Sequence, residues 1–226
     1  MDRIICALDC NTLDEVKRTV DTLGKNVSWY KVGLQLYLSA GSTTVSYLKS
    51  IGKNVFLDLK FFDIPNTVGH AVANACSLGA DMMTIHALGG KAMVAAAAQS
   101  IQKANAKTTL LAVTILTSVD EATLTGDMGL TPPIEQNVTR LAAMAVGAGA
   151  TGIVCSPFEI ASVRKAVGTG PRIVTPGVRM PGESAHDQKR VATPMQAFAD
   201  GCDFVVMGRS LTTAADPAAV VRVIEG

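Results

Sequence analysis

Residues 55–79, VFLDLKFFDIPNTVGHAVANACSLG, carry the pattern that decides the fold. They open on a short apolar run, VFLDL at 55–59, cross a cluster of charges, and continue into NTVGHAVANACSLG, which has helical patterning, starts on Asn and stops on Gly as helix caps should. The unit is a strand followed by a helix, and it recurs on both sides. Upstream, IICAL at 4–8 precedes LDEVKRTVDTLG, and WYKVG at 29–33 precedes TTVSYLKSIG. Downstream, MMTIH at 82–86, LLAVTIL at 110–116, GIVC at 152–155, RIVTP at 172–176 and FVVMG at 204–208 have the same short, apolar, strand-like character. They are followed in turn by GGKAMVAAAAQSIQKA, QNVTRLAAMAVGAG, PFEIASVRKAVG, TPMQAFADG and DPAAVVRVIEG. Eight buried strands alternating with eight helices predict an α/β fold, a (β/α)8 TIM barrel spanning residues 1–226 as a single domain. An open doubly wound sheet is the structural alternative.

Composition narrows the function classes. Of the 226 residues 48% are hydrophobic and 17% charged, enough for one large core. Twenty basic residues against nineteen acidic leave a formal charge of +1, and no run of like charges forms a nucleic-acid track or a polybasic membrane patch, so any anion must be bound locally. The amino-terminal MDRIICALDC lacks the pattern of a signal peptide, and no apolar stretch is long enough to span a membrane. Cys6, Cys10, Cys76, Cys155 and Cys202 are odd in number, contain no CxxC pair and sit among apolar neighbours; reduced, buried thiols and a cytoplasmic location are expected.

The charges within VFLDLKFFDIPNTV are the densest on the chain. Strand alternation sends Asp58 and Lys60 to one side and Leu57 and Leu59 to the other, and Asp63 follows after two phenylalanines. A structural ion pair at the barrel rim explains an isolated Asp-x-Lys as well as a catalytic pair does. The company at other strand ends favours the catalytic reading: Asp9 ends the first strand and Lys31 the second, so acids and bases alternate around one mouth. After the eighth strand, Met207-Gly208-Arg209 offers an open backbone and a guanidinium where barrels of this kind hold a phosphate, although Gly-Arg alone equally describes a helix-starting turn. Two long connections, Thr117 to Pro133 and Gly177 to Ala192, follow strand ends and read as loops over a ligand. Arg179 and Gln188 in the second of them reach a phosphate from above if that loop closes, and are ordinary exposed polar residues if it does not. His70, His86 and His186 have no metal-site spacing.

Taken together, ALD at 7–9, KVG at 31–33, DLKFFDIPNTV at 58–68, LTS at 116–118, TPGVR at 175–179, DQKR at 187–190 and MGRS at 207–210 resemble the orotidine 5′-monophosphate decarboxylase family over essentially the whole chain. The resemblance implies a cofactor-free, metal-free carboxy-lyase that converts orotidine 5′-monophosphate to uridine 5′-monophosphate and CO2 in the last step of de novo pyrimidine synthesis. It further implies that Lys60 protonates carbon 6 of the ring, that Asp58 lies beside the departing carboxylate, and that Lys31 and Asp9 complete the charge network and hold the ribose. Thr117 and Ser118 are similar to pyrimidine-reading residues, and Pro176, Arg179, Gln188, Gly208 and Arg209 to phosphate and lid residues. Asp63 and Thr67 resemble a pair contributed by the neighbouring subunit of a homodimer with shared sites. The electron pair left by CO2 lies in the ring plane and cannot delocalise into the carbonyls, so electrostatics must carry the reaction. The alternatives are a magnesium-dependent sugar-phosphate decarboxylase or synthase of the same superfamily, a Schiff-base aldolase acting through Lys60, and a non-catalytic phosphate-ligand binder.

Overall fold

The computed structural model describes residues 3–180 and 192–225. The eight expected strands are β1 (Ile4–Ala7), β2 (Trp29–Gly33), β3 (Asn54–Phe61), β4 (Met82–His86), β5 (Thr109–Val113), β6 (Gly152–Val154), β7 (Arg172–Thr175) and β8 (Phe204–Met207). All pair in parallel in chain order, and β8 pairs back onto β1, with Cys6 opposite Met207, so the sheet closes into a barrel and the doubly wound alternative falls away. Every connection from one strand to the next carries at least one helix, among them Leu13–Leu23, Pro65–Ser77, Gly90–Lys103 and Ile134–Gly147.

Strand alternation separates two apolar layers. Ile5, Ala7, Phe56, Met82, Leu111, Val174 and Val206 fill the barrel interior, with Trp29, Val154 and Phe204 against them. Their immediate neighbours, such as Ile4, Cys6, Leu57, Met83 and Val205, point outward and pack under the helices. Hence Asp58 and Lys60, in phase with Phe56, belong to the inward row, as the sequence pattern implied.

The boundaries differ from expectation in ways that matter for the site. β3 runs on to Phe61, so Asp58 and Lys60 are part of a strand and not of the turn behind it. β5 stops at Val113, three residues short of the apolar run, which frees Ile115 and Leu116 for the barrel mouth. The connection after β5 contains a short helix, Glu121–Gly126, capped by Asp120, and the Glu121 carboxylate accepts the Ile134 N–H at the start of the next helix. A helix at Leu34–Ala40 follows β2 and was not expected, because its apolar residues do not keep one face.

The opposite rim is tied by acidic side chains that accept backbone N–H groups. Asp81 accepts from Val55 at 2.8 Å and pairs with Lys49, while Asp203 accepts from Ile173 at 2.7 Å and pairs with Arg164 at 2.7 Å and Arg172 at 3.2 Å. Removing Asp203 leaves a half-buried guanidinium and a strand-end amide without their acceptor. Asp203→Ala is therefore expected to lower the unfolding free energy by about 2–3 kcal/mol. Asp14→Ala, which breaks only the exposed pair with Lys17, should change it by about 0.5 kcal/mol or less; urea midpoints measured side by side check both.

Candidate active site

Four charged side chains, from β2, β3 and the segment just beyond β1, form a chain across the barrel mouth. The Lys60 Nζ lies 2.9 Å from Asp58 Oδ1, and the Lys31 Nζ lies 3.7 Å from Asp58 Oδ2 and 3.7 Å from Asp9 Oδ1. Asp58 and Lys31 are the buried members, with side chains 12% and 14% exposed, whereas Asp9 is 64% exposed. Burying a carboxylate alone is costly; here an ammonium on each side offsets that cost. Local backbone makes the room. A Cβ on Gly33 would stand 3.0 Å from the Lys31 Nζ, and one on Gly208 would stand 3.3 Å from Asp9 Oδ2, so glycine at both positions lets the charges sit where they do.

β3 is distorted where it carries these groups. Its register against β4 passes from Leu57 opposite Met83 to Phe61 opposite Ile85, so four residues on one strand span two on the other. Lys60 absorbs the excess with φ of +48°, in the left-handed region, a conformation that costs a lysine about 1–3 kcal/mol. Thr84, fully buried on β4, bridges the distortion: its Oγ1 is 2.9 Å from Asp58 Oδ1 and accepts the Lys60 backbone N–H at 2.9 Å.

These groups open into a cavity of about 390 Å³ lined by Asp9, Lys31, Asp58, Lys60, Thr117, Ser118, Pro176 and Arg179, with Phe56, Val113, Ile115, Val154 and Val206 as an apolar floor and wall. Charge on one side and hydrocarbon on the other is what a flat, polar-edged ring requires. Arg179 stands where the long connection after β7 leaves and returns: its N–H donates to the Ala192 carbonyl, and Val178 bridges to Ala192. Arg209 opens the helical turn after β8 and, with Asp9, lines a smaller recess beside the cavity. Asp63 and Thr67 do not line the cavity; both are exposed on the rim, where Asp63 Oδ1 accepts the Ile64 N–H. Gln188, with Asp187 and His186, lies outside the described residues. Thr84 and the apolar wall were not anticipated, although a threonine in phase with Met82 and His86 on the inward side of β4 was a signal to be had.

Among the described residues, no group of three or more His, Cys, Asp and Glu side chains is placed to hold a metal ion. Cys155 lines the cavity, but burial pushes its thiol well above the ordinary range, so it is wall and not nucleophile at neutral pH. Burial does the same to Cys6, pushed up to about 12, and to Cys202, pushed up to about 11. Cys10 and Cys76 are only half-buried, short of the expectation for them.

The family described as "Orotidine 5′-phosphate decarboxylase / HUMPS family" matches residues 2–224. The orotidine 5′-phosphate decarboxylase of Anaeromyxobacter sp. (strain K) is 48% identical over 223 residues, which are 99% of this chain and 96% of the relative. That of Moorella thermoacetica is 43% identical over 228 residues, 99% of this chain and 90% of the relative. The crystal structure of orotidine 5′-phosphate decarboxylase from Lactobacillus acidophilus matches with a TM-score of 0.89 at 34% identity, covering 100% of this chain and 98% of that one.

His86 reports on the charges beside it. It ends β4, its Nδ1 accepts the Leu88 N–H at 3.3 Å, and its ring lies 5.6 Å from that of Phe62. Burial lowers its pKa below the ordinary 6.5, and the Lys60 charge lowers it further. A base whose folded pKa is depressed contributes stability in full above its unfolded value and loses it as pH falls toward the folded one. The His86 ring resonances should therefore titrate below pH 6.5. In Lys60→Ala the midpoint of His86 should move upward, part of the way back; an unmoved midpoint in NMR spectra would show that Lys60 does not act on it.

Proposed function

We propose a division of labour among the cavity residues of this chain, which belongs to the orotidine 5′-phosphate decarboxylase / HUMPS family. The activity is decarboxylation of orotidine 5′-monophosphate to uridine 5′-monophosphate and CO2, the final step of UMP biosynthesis that is the known role of the family. The observation that carries the assignment of roles is the unbroken chain Asp9, Lys31, Asp58, Lys60 at separations of 3.7, 3.7 and 2.9 Å.

In this reading the C6 carboxylate of the substrate enters beside Asp58, where like charge disfavours the ground state. The bond from C6 to the carboxylate breaks, CO2 leaves, and the electron pair stays on C6 in the ring plane. The Lys60 ammonium stabilises that pair and then donates its proton to C6, recovering one from solvent after product release. Lys31 and Asp9 hold the ribose hydroxyls, and Thr117 and Ser118 read the polar edge of the pyrimidine. Pro176, Arg179, Gln188, Gly208 and Arg209 take the phosphate, whose binding energy away from the reacting carbon keeps the charged array in register. Asp58 already has Lys60 and Thr84 on Oδ1 and Lys31 near Oδ2. That crowding supports the metal-free reading over the magnesium-dependent alternative.

The rim supports a homodimer with shared sites. Phe62 and Ile64 flank Asp63 with 60% and 66% of their surface exposed, which is costly for large apolar residues at the mouth unless a second copy covers them. Asp63 and Thr67 then reach the partner's cavity. A cytoplasmic location fits five unpaired cysteines. Among the described residues no helix is long and apolar enough to cross a membrane.

The direct test is loss of orotate absorbance with purified protein. Lys60→Ala should lower kcat by roughly a thousandfold or more while UMP still binds, because the phosphate grip lies elsewhere; a variant that keeps a tenth of wild-type turnover overturns the role of Lys60. The shared site has its own test in subunit mixing. Lys60→Ala and Asp63→Asn homodimers should each be nearly inactive, but a mixed dimer carries one intact site, so equal mixing should restore about a quarter of wild-type activity by two-fold symmetry. With exchange demonstrated by differently tagged subunits, activity no higher than the mean of the two variants would assign Asp63 to its own subunit.

A further inference from the structure

We propose that Thr84 is a positioning residue of this reaction, its single hydroxyl fixing both the carboxylate of Asp58 and the backbone from which Lys60 projects. The inference rests on the roles of Asp58 and Lys60 proposed above and adds a residue to them. Thr84 is fully buried, faces inward between Met82 and His86 on β4, and is in register with Leu111 of β5, so it is held from both flanks.

The hydrogen-bond directions at Thr84 are dictated by its partners. A backbone N–H only donates, so the Lys60 amide at 2.9 Å must use an Oγ1 lone pair. An ionised carboxylate only accepts, so the hydroxyl proton must point at Asp58 Oδ1, also at 2.9 Å. One hydroxyl thus joins two residues of β3 that are two apart in sequence, across the place where β3 loses its register with β4. Without it, the Lys60 N–H has no ladder partner on β4, and the left-handed turn at Lys60 loses the contact that holds it there.

The consequence is geometric. Asp58 Oδ1 receives both the Thr84 hydroxyl and the Lys60 ammonium, so the direction of the carboxylate plane and the reach of the Lys60 side chain are set from the same point. Thr84 touches neither the cavity nor a reacting atom; Lys60 and Asp58 line the cavity, and Thr84 does not. Its effect should therefore fall on the chemical step and not on the phosphate grip. A displacement of reacting groups by about 1 Å costs on the order of a hundredfold in rate.

The test is a set of three substitutions assayed with orotidine 5′-monophosphate and, for binding, with UMP. Thr84→Val keeps the shape and removes the hydroxyl; it should lower kcat by about a hundredfold while KM and the UMP dissociation constant change by less than about threefold. Thr84→Ser keeps the hydroxyl and should return kcat to within about fivefold of wild type. Thr84→Ala, smaller and free of any clash, should behave like Thr84→Val and takes its place if that variant does not fold. Thr84→Val or Thr84→Ala within threefold of wild-type kcat overturns the inference, and so does Thr84→Ser as impaired as Thr84→Val, since the methyl and not the hydroxyl would then matter. Equal losses in kcat and UMP affinity also overturn it, as the mark of a merely structural residue. Wild-type protein that failed to decarboxylate the nucleotide, or Lys60→Ala that retained turnover, would instead strike the functional reading, and the two failures are told apart in one series of assays.

Discussion

Asp58 sits between two ammonium groups with 12% of its side chain exposed, Lys60 on one oxygen and Lys31 facing the other, and the mouth of the barrel is organised around accommodating it there. A carboxylate this far from water costs several kcal/mol unless opposite charges and donors surround it. Its partners come from β2, β3 and β4, neighbouring parallel strands of the barrel whose carboxyl ends lie side by side. The apolar plug below, from Phe56 to Val206, keeps the field of these charges in a medium of low polarisability. Charge and hydrocarbon are thus two parts of one device.

The two ends of the barrel use acids differently. At the far rim Asp81 and Asp203 accept strand-end amides and pair with helix cations, locking one βα unit to the next. At the mouth, Asp9 and Asp58 share Lys31, and Asp58 also pairs with Lys60. The first arrangement spends its charge on stability. The second leaves charge available to a ligand, and it is accompanied by the left-handed backbone at Lys60, a conformation the surrounding sheet must hold in place.

Much of the site was legible because strand alternation is a strict rule. Phe56, Asp58 and Lys60 share a face whatever the exact strand ends, and β-strand periodicity in IICAL and WYKVG placed Asp9 and Lys31 near the same mouth. The motifs DLKFFDIPNTV and MGRS identified the family that the whole-chain comparisons then established. Less was legible in the connections. The helices at Leu34–Ala40 and Glu121–Gly126 are short, and the second is held by its Asp120 cap and by its carboxylate on Ile134, contacts that leave no periodicity to read.

The sequence by itself determined the barrel, its inward and outward rows, the family and the identity of the charged residues, since each follows from local period or from a motif. Only the tertiary structure decided which oxygen of Asp58 meets which ammonium, that Asp63 stands on the rim outside its own cavity, and that Thr84 joins the cluster. The reason is that these are relations between strands. A shift in register of two residues on β3, invisible in a row of letters, turns Lys60 into the left-handed region and sends its amide to the hydroxyl of a threonine 24 positions away.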